Sequence, residues 1–420
     1  MLAPQRWYFV VIAFFFIIAS CSFYLFGSAD RSKLMYEKLE NITHGAPDPI
    51  RAPEPIKAPE PIQHETTLRD TITSLFATIK HDPASPEYVD AAGKRYESGN
   101  DPMWKKPLGK KVLIVDIDTR VPTEENQILN PALMDWESID MHGGGLVSNA
   151  IMNHYLYAMI HGYDYKFYQA QHMEDRHDTW IMPHVFRELL PDYQFVVAMD
   201  ADVTLPHLEV PLEWMFNRWG IHSHTSIAMP WDAEEFHDGN SISRDSKGLR
   251  VLNTGFVVAQ NSNTTLDMLE AWRDCPSEKR YAGCKHWAYE WSHEQRAFSE
   301  YIRYDFNETP ETIVSIPCND AVGWPGYKED TLEYNPGGMS DCNGQFVRHY
   351  TLGKDQAKTA SSNSVMQALT DVIQKNLLKQ QKDIWYKEPK KPKNPHTDLR
   401  KDEGEGAPAI MEGMEITTPE

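Results

Sequence analysis

A chain of 420 residues, 41% of them hydrophobic and 11% aromatic, holds enough apolar material for one large core plus tails. Its formal net charge of −20 excludes the basic surface with which nucleic acid is normally met. Much of the acidity lies in the tails and on expected helix faces, where it reads as solvated charge.

After a six-residue leading tail (1–6), the stretch from Trp7 to Phe26 carries no charged residue. It is just long enough to cross a bilayer as a helix. The alternative is a cleaved signal peptide, with Gly27-Ser28-Ala29 as the cut. Flanking charge leaves orientation open, since Arg6 stands on one side and Arg31 and Lys33 on the other. Glycosylation sequons at Asn41, Asn263 and Asn307 point to a lumenal address for everything after residue 30. Outside the apolar run the cysteines are Cys275, Cys284, Cys318 and Cys342, an even set that an oxidising compartment can pair in three ways. Cys275–Cys284 and Cys318–Cys342 are favoured because they close short loops, and no spacing suggests zinc.

Residues 27–107 read as a proline-rich stem. Within it Arg51-Ala-Pro-Glu-Pro-Ile repeats as Lys57-Ala-Pro-Glu-Pro-Ile. Alternating proline favours an extended spacer. One short helix is expected over 68–80. From Lys110 the texture changes. Val112–Ile117 is a continuous apolar run of the kind found in buried parallel strands. Gly143–Gly145, with His142, is expected to be a flexible loop able to cover a ligand. A helix is expected over Leu146–Ile160 with a stop at Gly162, then a strand near Tyr165–Tyr168. Pro183 is expected to open a helix through Leu190, followed by a buried strand at Phe195–Met199. A further strand fits Gly255–Ala259. The helix after it, from near Thr264, uses Asp267 in a capping box and buries Leu266, Leu269 and Trp272. Late strands are expected at Ile313–Pro317 and Phe346–Tyr350. Beyond residue 385 the composition turns to Lys, Pro, Gly and Glu, the signature of a disordered tail (386–420). Strands alternating with helices predict a two-layered α/β domain.

The strongest local signal is Asp200-Ala201-Asp202, directly after the Phe195–Met199 strand. Ligands of open α/β sheets sit off the carboxyl ends of strands. Two carboxylates there make a hard-oxygen site for Mn²⁺ or Mg²⁺ carrying a diphosphate. Asp116-Ile117-Asp118 is a competing pair. An aspartyl phosphatase would use a first-strand pair of this kind as nucleophile and acid. Arg120 stands where such enzymes usually carry Thr or Val, and no later lysine and acidic pair is evident. Asp116 and Asp118 are therefore carried as candidate nucleotide contacts, or as a plain strand end.

The order of motifs resembles glycosyltransferase family 34, the group of fungal α-galactosyl- and α-mannosyltransferases and plant xyloglucan xylosyltransferases. The resemblance runs over roughly residues 110–355, through His161-Gly-Tyr-Asp-Tyr165, the strand with Asp200-Ala-Asp202, Asn253-Thr-Gly255, Glu294-Gln295-Arg-Ala297 and His349. It implies a GT-A nucleotide-sugar transferase fold over 108–385, on a single-pass type II anchor and stem, lumenal in the Golgi membrane. It implies retaining transfer of galactose, mannose or xylose from a UDP- or GDP-sugar to a glycan or glycoprotein acceptor. On that resemblance Asp200, Asp202 and His349 hold the metal, and Lys354 approaches the diphosphate. Gln295, adjoined by Glu294, lies near the anomeric carbon, and Asn253 lies on the acceptor side. The chain departs from the pattern at Trp180-Ile181-Met182-Pro183, where a lysine is usual, and at His349-Tyr350-Thr351-Leu352-Gly353-Lys354, where the histidine usually leads to Gly-Cys. The other readings are a family 77-like nucleotide-diphospho-sugar transferase and a catalytically silent partner of other Golgi transferases.

Overall fold

The apolar runs of the sequence become the middle of one six-stranded sheet. The computed structural model describes residues 66–389 apart from 235, 238, 239, 308, 323–341 and 352. The apolar run 7–26, the proline repeat, the Asn41 sequon and the tail from 390 onward lie outside the described residues. Among those described, no helix is long and apolar enough to cross a membrane.

The central strands are β1 (Val112–Asp118), β2 (Asp164–Gln169), β3 (Phe195–Met199), β5 (Ile227–Pro230), β6 (Phe256–Gln260) and β7 (Ile313–Ile316), with β4 (Val203–Thr204) outside this sheet. Their order is β7-β5-β6-β3-β1-β2. β1 lies parallel to β2 and β3, and β7 parallel to β5, while β6 runs against both of its neighbours. This one reversal has a geometric consequence. The carboxyl ends of β1, β3 and β5 and the amino end of β6 all meet at one edge of the sheet. A second sheet joins β8 (Ala321–Val322), β9 (Val347–His349) and β4, with β9 antiparallel to β4.

Alternate residues of each central strand enter different cores. Val112, Ile114, Phe195, Val197, Phe256 and Val258 face one, and Leu113, Val115, Val196, Ala198, Val257 and Ala259 face the other. Helix α2 (Gly143–His161) covers the first face. Helices α3 (Ile181–Leu189) and α5 (Asn263–Arg273) cover the second through Val185, Phe186, Leu269 and Trp272. The domain therefore has three layers, not the two expected, because both faces of the strands are apolar. Helix α4 (Leu212–Trp219) adds Trp214 and Phe216 to the first core.

Other boundaries also move. Residues 66–107 belong to the folded unit, not to a stem. Helix α1 (Leu68–Phe76), capped by Thr67 and Asp70, is followed by a hairpin of Glu87–Val89 and Arg95–Glu97. Phe76, Tyr88, Tyr96 and Trp104 from this stretch are buried in the first core. The Trp104 indole N–H reaches the Ile221 carbonyl at 2.7 Å. Gly143–Gly145 form the first turn of α2 and not a loop. Gly145 is needed there, since a Cβ would meet the Asp140 carbonyl oxygen at 1.7 Å. Helix α5 is capped by Ser262, whose hydroxyl accepts from the Thr265 amide, while Asp267 pairs outward with Arg280. Leu266 is only partly buried. The disulfides are Cys275–Cys284 and Cys318–Cys342, the pairing that short loops favour. After the short helix α6 (His293–Ala297), the long helix α7 (Asp355–Lys379) lays Ala357, Ser361, Ser364 and Ala368 against the body.

Candidate metal centre and cleft

At the shared edge of the sheet lies a cleft of about 410 Å³, lined among others by Asp118, Asp200, Asp202, Asn253, Glu294, Gln295, His349 and Lys354. Eight of the candidates read from the sequence thus come together. Three connections explain how. Asp200 donates its amide to the Gly255 carbonyl at 2.9 Å, which carries the β3–β6 ladder on by one bond and seats Asn253–Gly255 beside the acidic pair. Asp202 leads straight into β4, and β4 pairs with β9 so that Val203 lies opposite His349. The Tyr350 amide donates to the Asp202 carbonyl at 2.8 Å, locking that register.

The result is a compact polar group. One ligand atom each from Asp200, Asp202 and His349 lies within 4.8 Å of the others. His349 Nε2 is 3.1 Å from Asp202 Oδ1 and 3.7 Å from Asp200 Oδ2, and Lys354 Nζ donates to Asp202 Oδ2 at 2.7 Å. Burial alone would raise the Asp202 carboxyl, but His349 and Lys354 hold it well below the usual carboxylate range. Burial likewise opposes a charged His349, yet Asp202 and Asp200 hold its imidazole above the ordinary value. Asp200 keeps 48% of its side chain open to the cleft. The protein crowded around it still pushes its carboxyl upward, against the pull of His349 and with the Asp202 charge adding. Gly255 makes room for the imidazole: a Cβ there would stand 2.4 Å from His349 Cε1 and 2.6 Å from Nδ1.

Beside this group a hydrogen-bonded wall links β5, β6 and α6. Gln295 Oε1 accepts from the Thr254 amide at 2.9 Å, and its Nε2 donates to Asp232 Oδ2 at 3.0 Å. Asn253 Nδ2 donates to Asp232 Oδ1 at 3.0 Å, while its Oδ1 accepts from the Gly255 amide at 2.8 Å. Glu294 is buried and accepts from the Thr254 hydroxyl at 2.9 Å. Burial pushes its carboxyl up to about 7, against the pull of Thr179 and Thr254. Asp232 is also raised, first by burial, with Asn253, His349 and Gln295 pulling back.

Asp116 does not reach the cleft. It is buried, its Oδ1 bonded to His154 Nδ1 at 2.7 Å and its Oδ2 accepting from the Tyr165 hydroxyl at 2.6 Å. Its role is to tie β1 to α2 and β2. Asp118 does line the cleft, but Arg120 grips both its oxygens at 2.6–2.8 Å. Asp118, with the charges of Asp202 and Asp200, in turn raises the Arg120 guanidinium.

Asp232 and Arg120 are site residues that sequence reasoning missed. Asp232 lies two residues past the end of β5 at Pro230, whereas Asp200 follows β3 directly, and the three apolar residues Ile227–Met229 are too short a run to signal a strand end. Arg120 was visible only as the residue that breaks a phosphatase pattern. The segment where a lysine was expected supplies Ile181 and Met182 to the cleft wall.

No protein-family model matches the chain, and no curated protein matches it. Among solved structures, a glycosyltransferase involved in the glycosylation of the major capsid of PBCV-1 is similar at 12% identity, over 60% of this chain and 98% of that one, with a TM-score of 0.37. Mouse xyloside xylosyltransferase 1 is similar at 11% identity over 58% of this chain and 98% of its own, with a TM-score of 0.34. The glycosyltransferase GlyE of Streptococcus pneumoniae TIGR4 follows at 11% identity, 63% and 64% coverage, and a TM-score of 0.33.

Proposed function

We propose that this chain is a retaining, metal-dependent glycosyltransferase of the family 34 type. It would have a GT-A fold, held at the Golgi membrane with its catalytic domain lumenal. It moves a hexosyl or pentosyl unit from a UDP- or GDP-sugar to a glycan acceptor. The observation that carries the reading is the convergence of Asp200, Asp202 and His349 within 4.8 Å at the sheet edge, with Lys354 against the same carboxylate.

The donor set fits a divalent cation. Two carboxylates and an imidazole nitrogen suit Mn²⁺, and Mg²⁺ less closely, while among the described residues the cysteines are all in disulfides and offer no thiolate to a softer ion. When bound, such a cation neutralises charge on the diphosphate and so eases departure of the nucleotide. The chain's own groups do the rest. Lys354, at the start of α7, supplies a second positive charge where negative charge develops as the glycosidic bond breaks. Arg120, paired with Asp118, adds a further cation to the cleft lining. The wall of Asp232, Asn253, Glu294 and Gln295 presents planar amides and carboxyls cross-braced by hydrogen bonds, a rigid surface for sugar hydroxyls. Retention then follows a front-face course. The anomeric carbon–phosphate oxygen bond breaks, the acceptor oxygen bonds to the same face, and the acceptor proton passes to the departing phosphate oxygen.

The test is nucleotide release from a panel of UDP- and GDP-sugars, with Mn²⁺ and after chelation. Turnover of at least one donor that Asp202→Asn abolishes supports the proposal. Turnover unaffected by chelation and by Asp202→Asn overturns it.

A further inference from the structure

Two large apolar side chains in the cleft lining stay open to water, Trp291 with 69% of its surface exposed and Ile242 with 42%. Among the described residues no other exposed large apolar side chain lines the cleft. Trp180 and Trp272, nearby in the same part of the fold, are fully buried. The indole of Trp291 is bare, yet the backbone that carries it is braced on both sides. Before it, the Trp180 indole N–H donates to the Trp287 carbonyl at 3.0 Å, and the Tyr289 hydroxyl donates to the Glu174 carbonyl at 3.0 Å. After it, the His293 ring stacks on His177 at 3.7 Å, and the Trp272 indole N–H donates to the Glu294 carbonyl at 2.9 Å. Arg296, in α6, donates to the Ile242 carbonyl at 2.6 Å and ties that segment to the same helix. The ring contact of Trp291 is a T-shaped one with His293, centroids 5.9 Å apart, so no ring lies flat on it.

A flat apolar face on a braced segment receives a ligand with little further ordering. The order of the sheet says which ligand. The cleft runs from Asp118 and Arg120 at β1, past the acidic pair after β3, to the wall carried by β6, β5 and α6. A nucleotide-sugar with its diphosphate at the metal group holds its nucleoside and its sugar on opposite sides of that group. With the sugar on the wall, the nucleoside points toward β1. The acceptor then reaches the anomeric carbon from the side where Trp291 and Ile242 stand.

A pyranose carries hydroxyls around its rim and C–H bonds on its faces. Those C–H bonds are slightly positive, and the face of an indole is negative, so the two attract as water leaves. Ser243 and Ser292 join the two apolar groups in the lining, the mixture of apolar floor and a few polar groups that a small polar ring requires. A lipid chain would need a wider apolar floor. We infer that Trp291 is the platform of an acceptor subsite, on which a pyranose of the receiving glycan stacks, with Ile242 as a second apolar contact. The acceptor is then a sugar ring and not a serine or threonine of a polypeptide. This subsite rests on the proposed sugar transfer and names its acceptor class.

The experiment is saturation-transfer NMR on the full chain with Mn²⁺ and UDP or GDP. The probes are the methyl glycosides of galactose, glucose, mannose and xylose, with a peptide rich in serine and threonine as the contrast. At least one glycoside should bind, with saturation strongest at the C–H protons of one ring face. Trp291→Ala should weaken that binding about tenfold or more. Trp291→Phe, which keeps a ring, should restore part of it, and both variants should unfold at the wild-type temperature. The affinity for UDP and GDP should not change. Glycoside binding that is absent, or that survives Trp291→Ala, overturns the inference. So does a loss of nucleotide affinity in Trp291→Ala, which would assign the indole to the nucleobase, or binding of the peptide in preference to every glycoside. These measurements need no turnover. Absence of nucleotide release from every donor would strike the proposed activity, whereas the binding results above strike the subsite alone.

Discussion

The molecule carries two Asp-x-Asp pairs on neighbouring parallel strands, and they behave differently. Asp116 and Asp118 belong to β1 itself; Asp200 and Asp202 stand just past the end of β3. Asp116 pairs in register with Met199, the last residue of β3, so the first pair lies about one step deeper in the sheet. One step is enough. Inside the sheet Asp116 meets helix α2 and becomes an anchor for His154 and Tyr165. Beyond the edge, Asp202 meets β9 returning from far down the chain and gains His349 and Lys354. The same two letters yield a brace in one case and a ligand set in the other. What decides is the position relative to the strand end and the segment that crosses over it.

The largest expected effect that sharpens this contrast comes from Asp202→Asn. Losing one charged ligand should cut nucleotide release by roughly 10³-fold, about 4 kcal/mol of barrier, with the unfolding temperature little lowered. A similar loss from Asp118→Asn, which leaves Arg120 without its carboxylate, would blur the distinction. Next comes Gly255→Ala. Its Cβ would press on the His349 ring, and calorimetric Mn²⁺ affinity should fall about 10–100-fold, as when a group that orients a metal ligand is lost. Unchanged affinity would mean that the imidazole takes no part in holding metal.

Asp116→Ala should show the opposite balance. It strands His154 Nδ1 and the Tyr165 hydroxyl in the core, which costs roughly 2–5 kcal/mol in denaturant unfolding, while Mn²⁺ affinity of the folded fraction stays near wild type. An affinity loss as large as that of Asp202→Asn would break the comparison.

The smallest effect concerns Glu294, whose carboxyl is raised by burial from the ordinary value of 4.5 to about 7. The folded state then binds more protons than the unfolded state between those values, so this group's contribution to stability falls as pH rises through that window. Glu294→Gln removes the titration. Relative to wild type the variant should gain on the order of 2–5 °C in unfolding temperature above pH 7, and the gain should vanish near pH 4. A gain that persists at pH 4 would place its origin elsewhere.

Much of this was legible in the sequence because it depends on local pattern. Phe195–Met199 is apolar throughout, so its strand and the acidic pair after it could be placed to the residue. Gly162 ended α2 where a left-handed residue was needed, at φ +77°. The extent of the fold was less legible. Residues 66–107 hide buried Tyr88, Tyr96 and Trp104 among prolines and charges with no sustained periodicity, and only their packing against Trp214 of α4, Phe346 and Phe195 shows them as core. Asp232 was not legible because Pro230 and Trp231 separate it from the short apolar run Ile227–Met229, and only Asn253 and Gln295, from distant segments, bring it to the cleft. The reversal of β6 was not readable at all. A buried strand looks the same in either direction, yet this reversal is what brings Asn253 and Gly255 to the carboxyl edge.

The central claim is that Asp200, Asp202 and His349 share one cation, and electron paramagnetic resonance of the full chain titrated with Mn²⁺ tests it most directly. Saturation at one tightly held ion per chain is expected, with a nitrogen coupling from imidazole in the pulsed spectrum that disappears in His349→Ala. Mn²⁺ that binds without nitrogen coupling, or a coupling that survives His349→Ala, would contradict it.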